Sequence, residues 1–408
     1  MKENHQSMQA LLAHPGTQYS AQLARQLYLH NSLHRFWTSF ALVQGGLGER
    51  AMRAALTRPP KWLDHRVLFD VPAEKLRTVP LLEVAAVLQM RFGAEPQIVM
   101  HQRNQKVQRA IDQHDIEQSD VVVGFDTSSD LLIDRASRLG RPFILDQTIA
   151  HPKSKNRVYE QIRKQFPEWS DDLDVRADEI SAAEDAEHRG ASLIVVASSF
   201  TKSTLIENGV AGDKIFLNPY GVDLKRFTVR PERNKSRAFR FVFAGLVCAR
   251  KGIPLLLEAW SKIKPSGAEL WIAGPITPAA AAKLTVDETV KILGKVPNPE
   301  LATIMADSDV FVLPSYFEGF GLVLLEAMAA GLPVLTTTAT AGPDIVTERH
   351  DGFVVRPGDT GALVEVMDWC LQNREAVAAM GMNARRTAER HSWDAYGDRW
   401  QNILQQVA

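Results

Sequence analysis

One segment, residues 309–338, constrains the fold of this 408-residue chain more than any other. Its apolar, β-branched run at 310–313 is typical of a buried parallel strand. A glycine-bearing turn follows, and then a strongly helix-forming stretch that ends at Gly331. Because the next apolar run begins after Pro333, the segment predicts a β-loop-α-β unit. The loop of such a unit lies at the carboxyl end of a strand, where open α/β sheets bind ligands.

Two glutamates, Glu318 and Glu326, lie on either side of the predicted helix start. Glu326 is the only charged residue between Gly319 and Leu335, and an unpaired buried carboxylate costs on the order of several kcal/mol. A chain tolerates this cost if the carboxylate binds a ligand. Two other interpretations remain open: Glu318 could interact only with the helix dipole, and Glu326 could pair with a buried Arg or Lys.

The backbone of the turn supplies a second feature of the predicted site. The N–H groups of Gly319–Leu322 lie at a helix N-terminus, which favours an anion such as phosphate. Glu326 lies about 7 Å further along the axis, at ~1.5 Å per residue. A phosphate at the helix start would therefore have one glutamate on each side. A nucleotide-sugar has this extent, with sugar, diphosphate and ribose in a row.

A second strand-loop-helix unit is predicted at 241–260, and its loop contains Gly245, Arg250 and Lys251. Two cations in such a loop suit a diphosphate, because arginine offers a planar fork of donors and lysine a point charge. The competing interpretation is a solvated basic turn.

Strands and helices alternate along the whole chain, which indicates an α/β fold with two Rossmann-like, doubly wound parallel-sheet domains. A polar, basic segment at 230–237 reads as an exposed linker. The predicted strands are 9–14, 37–43, 121–126, 142–146, 193–197, 239–245, 269–273, 291–293, 310–313, 334–338 and 353–356. In the first half the predicted helices lie near 18–30, 81–91, 128–139, 157–166, 177–189 and 201–208.

The charge balance argues against general nucleic-acid binding, because 47 Lys and Arg residues face 48 Asp and Glu residues. The two cysteines, Cys248 and Cys370, are too few for a disulfide framework and fit a reducing cytoplasm. No stretch has a signal-peptide core or the ~18 apolar residues of a membrane span. We therefore expect a cytoplasmic protein. The basic stretch 153–157, together with Arg163 and Lys164, is either a solvated face or a contact with an anionic membrane or a lipid-linked acceptor.

The segment 309–338 resembles the signature of the retaining glycosyltransferases of family 4, which have the two-domain GT-B fold. The resemblance implies that Glu326 binds the ribose hydroxyls of the donor and that Glu318 lies beside the donor sugar. The matching residues are Pro314, Ser315, Glu318, Gly319, Phe320, Gly321, Glu326, Ala327, Gly331 and Pro333.

The same resemblance extends to the other predicted phosphate loop. It implies that Lys251 and Arg250 contact the donor diphosphate and that Gly245 approaches it. Leu246 stands where family members often carry a polar side chain, so the loop would bind phosphate with one fewer side chain. Backbone groups near Val296 would hold the nucleobase, and the amides of Gly319, Phe320, Gly321 and Leu322 would complete the donor site.

The first half resembles the family less closely. The resemblance implies an acceptor-binding domain at 1–222, a nucleotide-sugar domain at 223–390, and a terminal helix at 391–408 that crosses back to the first domain. Gly16, before a helix, and His14 are candidates for the cleft. His151 follows a predicted strand, and a histidine in a comparable loop of the family lies near the donor sugar.

The resemblance implies a retaining, metal-independent glycosyltransferase that moves a sugar from a UDP-, GDP- or ADP-sugar to an acceptor hydroxyl. No cofactor is expected beyond the donor, and the acid pairs at 172–174 and 307–309 do not read as metal sites. The expected partners are the nucleotide-sugar and a glycan or lipid-linked acceptor, with peripheral contact at the inner membrane face as an option. Two alternatives remain: a nucleotide-sugar epimerase or hydrolase, and a catalytically silent partner of another transferase.

Overall fold

Two parallel β-sheets organise the protein in the computed structural model, which describes residues 7–16, 19–55, 66–229 and 237–407. The first sheet has seven strands in the order β5-β2-β1-β6-β7-β8-β9, and the second has six in the order β12-β11-β10-β13-β14-β15. All pairings within both sheets are parallel. The predicted α/β class with two doubly wound sheets is therefore confirmed.

The first sheet comes from the first half of the chain. Its central strands are buried along their whole length, because helices cover both faces of a parallel sheet. Its strands and the β3–β4 pair are β1 Ala10–Ala13, β2 Leu33–Thr38, β3 Leu42–Val43, β4 Val67–Leu68, β5 Leu76–Thr78, β6 Val121–Phe125, β7 Phe143–Gln147, β8 Leu193–Val196 and β9 Ile215–Leu217. The helices are α1 Ser20–Leu29, α2 Leu47–Ala55, α3 Pro80–Arg91, α4 Pro96–Ala110, α5 Gln113–Glu117, α6 Asp130–Arg138, α7 Pro152–Gln165, α8 Asp178–Gly190 and α9 Ser199–Glu207.

The second sheet begins after residue 237. Its strands are β10 Phe239–Ala244, β11 Ala268–Ala273, β12 Val290–Gly294, β13 Val310–Leu313, β14 Val334–Thr337 and β15 Gly352–Val355. The helices are α10 Ile253–Ile263, α11 Pro278–Lys283, α12 Asn298–Ala306, α13 Leu322–Ala329, α14 Gly342–Ile345, α15 Thr360–Gln372, α16 Arg374–Glu389 and α17 Trp393–Leu404. No helix within the described ranges is long and apolar enough to cross a membrane.

The last helix, α17, leaves the second sheet and packs on α1 beside the first. The hydroxyl of Ser32 donates to Gln401 Oε1 at 2.8 Å, and His30 Nε2 lies 3.0 Å from Asp398 Oδ1. Trp400 of α17 is completely buried in this contact region. The chain therefore crosses between the two sheets a second time near its end.

Two parts of the first half differ from the sequence prediction. The predicted strand 37–43 is wrong, because β2 starts at Leu33 and ends at Thr38, and the separate β3 follows. The long helix α4, Pro96–Ala110, is missing from the prediction, because its polar sequence has little apolar periodicity. The predicted linker at 230–237 lies outside the described residues except for its last position.

Candidate functional site

The predicted signature segment folds as a strand, a loop and a helix. The buried strand β13 ends at Leu313, and α13 begins at Leu322 after a tight turn at Gly321. Gly321 has φ +85°, a left-handed conformation that glycine adopts without cost. The loop therefore emerges at the carboxyl edge of the second sheet and turns directly into a helix N-terminus. The Leu324 N–H donates to the Gly321 carbonyl at 2.8 Å, while the amides of Leu322 and Val323, as the first of α13, have no partner within the helix.

Glu318 lies in this loop and is paired with the two predicted phosphate-loop cations. Its Oε1 accepts a charged hydrogen bond from Lys251 Nζ and lies 3.3 Å from Arg250 Nη1. The hydroxyl of Ser315 donates to the same oxygen at 3.1 Å. Burial would raise the pKa of Glu318, but Lys251 and Arg250 outweigh it and hold the pKa below its usual value. Two cations around one carboxylate leave one net positive charge, which suits an anionic ligand.

Glycine positions bring the two loops together. A Cβ at Gly252 would lie 2.1 Å from the Pro314 carbonyl oxygen, so the chains could not approach this closely with any other residue. The neighbouring backbone N–H of Tyr316 donates to the Arg250 carbonyl at 2.9 Å. Gly245 directly follows β10 with φ +154°, and the Cε of Lys251 lies 4.0 Å from a Cβ built there. The structure thus brings together Gly245, both cations and the Glu318 loop, as the sequence predicted.

Glu326 lies one turn inside α13 and is half-buried. Its carboxylate has no hydrogen-bond or ion-pair partner among residues 7–16, 19–55, 66–229 and 237–407. Burial raises its pKa, and the charge of the exposed Arg226 only partly opposes this. Pairing with a buried Arg or Lys, the competing interpretation, is therefore not seen in the described part of the chain. The carboxylate is available to a ligand.

The loop at 319–321 also touches the first sheet. The Gly319 carbonyl accepts hydrogen bonds from Ser198 and, at 3.0 Å, from Thr201 Oγ1, both at the start of α9. A Cβ at Gly319 would lie 1.9 Å from the Thr148 carbonyl oxygen, which follows β7. Phe320 is buried against Tyr220, with ring centroids 5.1 Å apart. The site therefore lies where the carboxyl edges of the two sheets meet.

His151 follows β7 by four residues and caps α7. Its Nδ1 accepts the backbone N–H of Lys153 at 3.2 Å, and its Nε2 lies 3.8 Å from Asp185 Oδ1. Burial lowers its pKa to about 4, since the opposing charge of Asp185 is weaker, so the imidazole is neutral at neutral pH. His151 lies three residues after Thr148, whose carbonyl approaches Gly319 in the loop at 314–321. The role of His151 beside the donor sugar stays a prediction.

Three side chains near this position have the geometry of a possible metal site. The ligand atoms of His151, Asp185 and His188 lie within 4.8 Å of one another, the one such group in the described ranges. The Lys153 ammonium, however, lies 3.2 Å from Asp185 Oδ2 and already neutralises that carboxylate.

The acid pair at 307–309 has a structural role, because Asp309 binds the Arg237 guanidinium at 2.7 and 3.0 Å.

His14 and Gly16 lie just beyond the end of β1, and their contacts are with residues of the first half of the chain. His14 is buried, its ring meets Phe125 edge-on at 4.5 Å, and its Nδ1 lies 3.3 Å from Ser20 Oγ. Burial lowers its pKa to about 4. A Cβ at Gly16 would lie 2.9 Å from His14 Cε1, so Gly16 makes room for the imidazole. These contacts explain both residues by packing, and their place in the cleft stays a prediction.

The remaining sequence predictions concern Val296 and the basic stretch. Val296 is partly buried just beyond β12, against the core of the second sheet, and its role near the nucleobase stays a prediction. In the basic stretch, Lys153 pairs with Asp185 and Arg157 lies 3.6 Å from Glu207. These pairs partly neutralise the stretch at Lys153 and Arg157, whereas Lys155 between them is half-buried.

Ser198, Thr201 and Thr148 belong to the candidate site but escaped the sequence prediction. Ser198 and Thr201 donate hydrogen bonds to the loop at 314–321 across more than a hundred residues of chain, and the Thr148 carbonyl approaches the same loop at Gly319. The local signal for the first two is an ordinary helix cap, because Ser198 Oγ accepts the Thr201 N–H at 3.1 Å. A cap says nothing about a partner elsewhere in the fold.

Comparisons with known proteins show which families and folds this chain resembles. Residues 238–373 match the family described as glycosyl transferases group 1, which confirms the resemblance to glycosyltransferases for this part of the chain. The sulfoquinovosyl transferase SQD2 of Arabidopsis thaliana is 31% identical over 51% of this chain and 43% of its own length. A GDP-mannose-dependent phosphatidylinositol monomannoside mannosyltransferase of Corynebacterium glutamicum is 31% identical over 46% of this chain and 55% of its own. The chain spans about half the length of the curated relatives that it matches.

Solved structures share the whole fold. Anabaena Alr3699/HepE in complex with UDP and glucose has a TM-score of 0.66 at 16% identity, over 98% of this chain and 100% of that one. The lipopolysaccharide glycosyltransferase WaaG has a TM-score of 0.63 at 19% identity, over 97% of this chain and 99% of that one. The predicted GT-B fold is therefore confirmed.

Proposed function

We propose that this protein is a glycosyltransferase that moves a sugar from a nucleotide-sugar to an acceptor hydroxyl. The carrying observation is the meeting of two loops, where Lys251 and Arg250 surround Glu318 beside the start of α13. The group 1 match of residues 238–373 supports this function, and the HepE complex with UDP and glucose supports a nucleotide-sugar donor.

Each part of the donor has a proposed contact. The diphosphate lies on Lys251, Arg250 and the first amides of α13, which together offer charge and directed N–H groups. The ribose hydroxyls donate to the free carboxylate of Glu326. The sugar lies beside Glu318, between the second sheet and the loop that leads to His151. The nucleobase lies near Val296. Uridine, guanosine and adenosine donors all remain open.

The proposed reaction keeps the anomeric configuration. The bond from the anomeric carbon to the phosphate oxygen breaks, and the acceptor oxygen attacks from the same face. The departing diphosphate takes the acceptor's proton. Lys251, Arg250 and the helix amides stabilise the negative charge that develops on the leaving group. Because these cations perform the task that a divalent ion performs elsewhere, we propose that no metal is required.

The test is release of nucleoside diphosphate from candidate nucleotide-sugars, with acceptor extracts, in the presence of either magnesium or a chelator. We expect acceptor-dependent release that a chelator leaves unchanged and that Lys251→Ala lowers by about ten-fold or more, since charged hydrogen bonds contribute roughly 1.5–3 kcal/mol each. Full turnover in Lys251→Ala would remove this residue from the site. Loss of turnover with the chelator would contradict metal independence.

A further inference from the structure

A cavity of about 300 Å³ lies between α4 and α8, beside the first sheet. Met100 and Ile180 give it apolar walls, while His101, Asn104 and Arg176 give it polar ones. This mixture suits a sugar ring, which has apolar faces and polar edges. Nothing in the proposed donor site uses these residues.

Two polar groups of the cavity residues have no hydrogen-bond partner. His101 is 4% exposed, and its Nε2 makes no hydrogen bond within the described ranges, with Glu179 Oε1 at 3.8 Å. The Nε of Arg176 is also buried without a partner, although its Nη2 lies 3.2 Å from Glu184 Oε1. Unsatisfied buried polar groups destabilise the fold, so a bound ligand with acceptor oxygens would offset this cost.

Lys155 adds a second cation to the region around Arg176. It lies in the first turn of α7, half-buried, with its ammonium 5.0 Å from the Tyr159 ring. No carboxylate forms an ion pair with it in the described part of the chain. Burial, and then the charge of Arg176, lowers its pKa to about 8, although the carboxylates of Glu184 and Asp174 oppose this shift, so Lys155 stays mostly protonated at neutral pH. A cation at the positive end of a helix is unfavourable unless an anion joins it.

Lys155 also connects the cavity to the proposed donor site. Helix α7, which carries Lys155, packs against the loop at 249–251 that holds Arg250 and Lys251. The cavity residue Thr127 follows β6, and Thr148 follows the neighbouring strand β7. The cavity therefore lies at the same carboxyl edge of the first sheet as Thr148, whose carbonyl approaches Gly319 in the loop at 314–321.

We propose that this cavity binds the acceptor and that the acceptor carries an anionic group, a phosphate ester or a carboxylate, held by Arg176 and Lys155. The proposal rests on the proposed function and names its substrate class. The guanidinium of Arg176 can share its fork between Glu184 and the ligand, and Lys155 adds a point charge. An acceptor oxygen of the same ligand would satisfy His101 Nε2.

The test is calorimetric titration of the full chain, saturated with the nucleoside diphosphate that binds best, so that the donor loop is occupied. The probes are glucose 6-phosphate, glucuronate and glucose. We expect at least one anionic probe to bind about ten-fold or more tightly than glucose, since one charged hydrogen bond suffices for this difference. The phosphate ester and the carboxylate are distinguished by which probe binds. Equal binding of all three probes would overturn the proposal.

Variants locate the site. Lys155→Gln and Arg176→Gln should each weaken the anionic probe by about ten-fold or more and leave nucleotide affinity within about two-fold. Lys164→Gln, an exposed position on the same helix, is the matched control and should change neither. Lys155→Gln keeps the test valid if Arg176→Gln fails to fold. Unchanged anion affinity in Lys155→Gln would overturn the anion-binding proposal. If no nucleotide binds, the proposed glycosyltransferase function is contradicted instead. In that case, titration of the anionic probes without nucleotide tests the anion site on its own.

Discussion

At the scale of single residues, the two signature glutamates have opposite electrostatic environments. Glu318 is surrounded by Lys251, Arg250 and Ser315, and its pKa lies below the usual value. Glu326 has no such partner in the described ranges, and burial raises its pKa. One glutamate is therefore held in place before a ligand arrives, while the other retains free acceptor capacity. This difference fits a structural and electrostatic role for Glu318 and a binding role for Glu326.

Replacing Glu326 with alanine should weaken nucleotide binding by about ten-fold or more, because each charged hydrogen bond to a ribose hydroxyl contributes roughly 1.5–3 kcal/mol. Titration calorimetry with the nucleoside diphosphate measures this change. Glu365→Ala is the control, since Glu365 is an exposed glutamate on α15 of the same half. Equal affinity in wild type and Glu326→Ala would remove Glu326 from the ribose site.

The lowered pKa of Glu318 predicts a pH dependence of stability. A carboxyl group whose folded-state pKa is depressed stabilises the fold above its unfolded pKa, and this contribution is lost as the pH falls through the folded pKa. Urea unfolding should therefore show wild type more stable than Glu318→Gln at neutral pH, with the difference shrinking in acid. A difference that stays constant down to acid pH would contradict the ion-pair account.

At the scale of elements, close backbone contacts position the loop at 314–321, which contains Glu318 and Gly319. Gly319 allows the loop after β7 to approach, and its carbonyl accepts hydrogen bonds from Ser198 and Thr201 on the other sheet. Gly252 performs the same task between the two loops of the second sheet. The loops of the site can therefore lie this close together because the residues at these two contacts, Gly319 and Gly252, have no side chain.

Gly319→Ala should destabilise the protein by about 1–3 kcal/mol, because its Cβ would lie 1.9 Å from the Thr148 carbonyl oxygen and the loops must separate. Denaturant unfolding measures the loss. Gly361→Ala is the matched control, since the nearest atom to its Cβ is Asp359 Oδ1 at an ordinary 3.4 Å. If both variants are equally stable, the close approach at Gly319 does not constrain the loops.

The contact between α17 and α1 predicts a second stability effect. Trp400→Ala should cost about 3–5 kcal/mol, the usual range for a buried tryptophan, because its side chain is completely buried. Asp398→Ala on the same helix should cost about 1 kcal/mol or less, since its side chain is 74% exposed and its partner is a surface histidine. Thermal unfolding of both variants decides whether the helix is anchored through its apolar face.

At the scale of the whole molecule, the two sheets place two proposed binding regions at one edge. The donor region uses loops of the second sheet, and the cavity beside Arg176 belongs to the first. Helix α7, which carries Lys155, packs against the loop that carries Arg250. A donor and an anionic acceptor would thus meet where the carboxyl ends of both sheets converge, as expected for ligands of open α/β sheets.

How much of this could be predicted from sequence depended on the distance between partners along the chain. Glu318 and its helix start were predictable because their signals lie within a few residues of each other. The proximity of Lys251 to Glu318 was predictable only through the family resemblance. Ser198 and Thr148 could not be found, because their role depends on contact with Gly319 across the fold. Helix α4 was missed because tertiary packing, rather than apolar periodicity, decides its structure.

The most direct test of the central claim is thermal stabilisation of the wild-type protein by UDP, GDP and ADP, measured with and without magnesium. We expect one of these nucleotides to stabilise the protein, by about 2.7 kcal/mol at 100 times its dissociation constant, whether or not magnesium is present. Lys251→Ala should abolish most of this stabilisation. No response to any of the three nucleotides, or an undiminished response in Lys251→Ala, would contradict a nucleotide-sugar site at the meeting of these two loops.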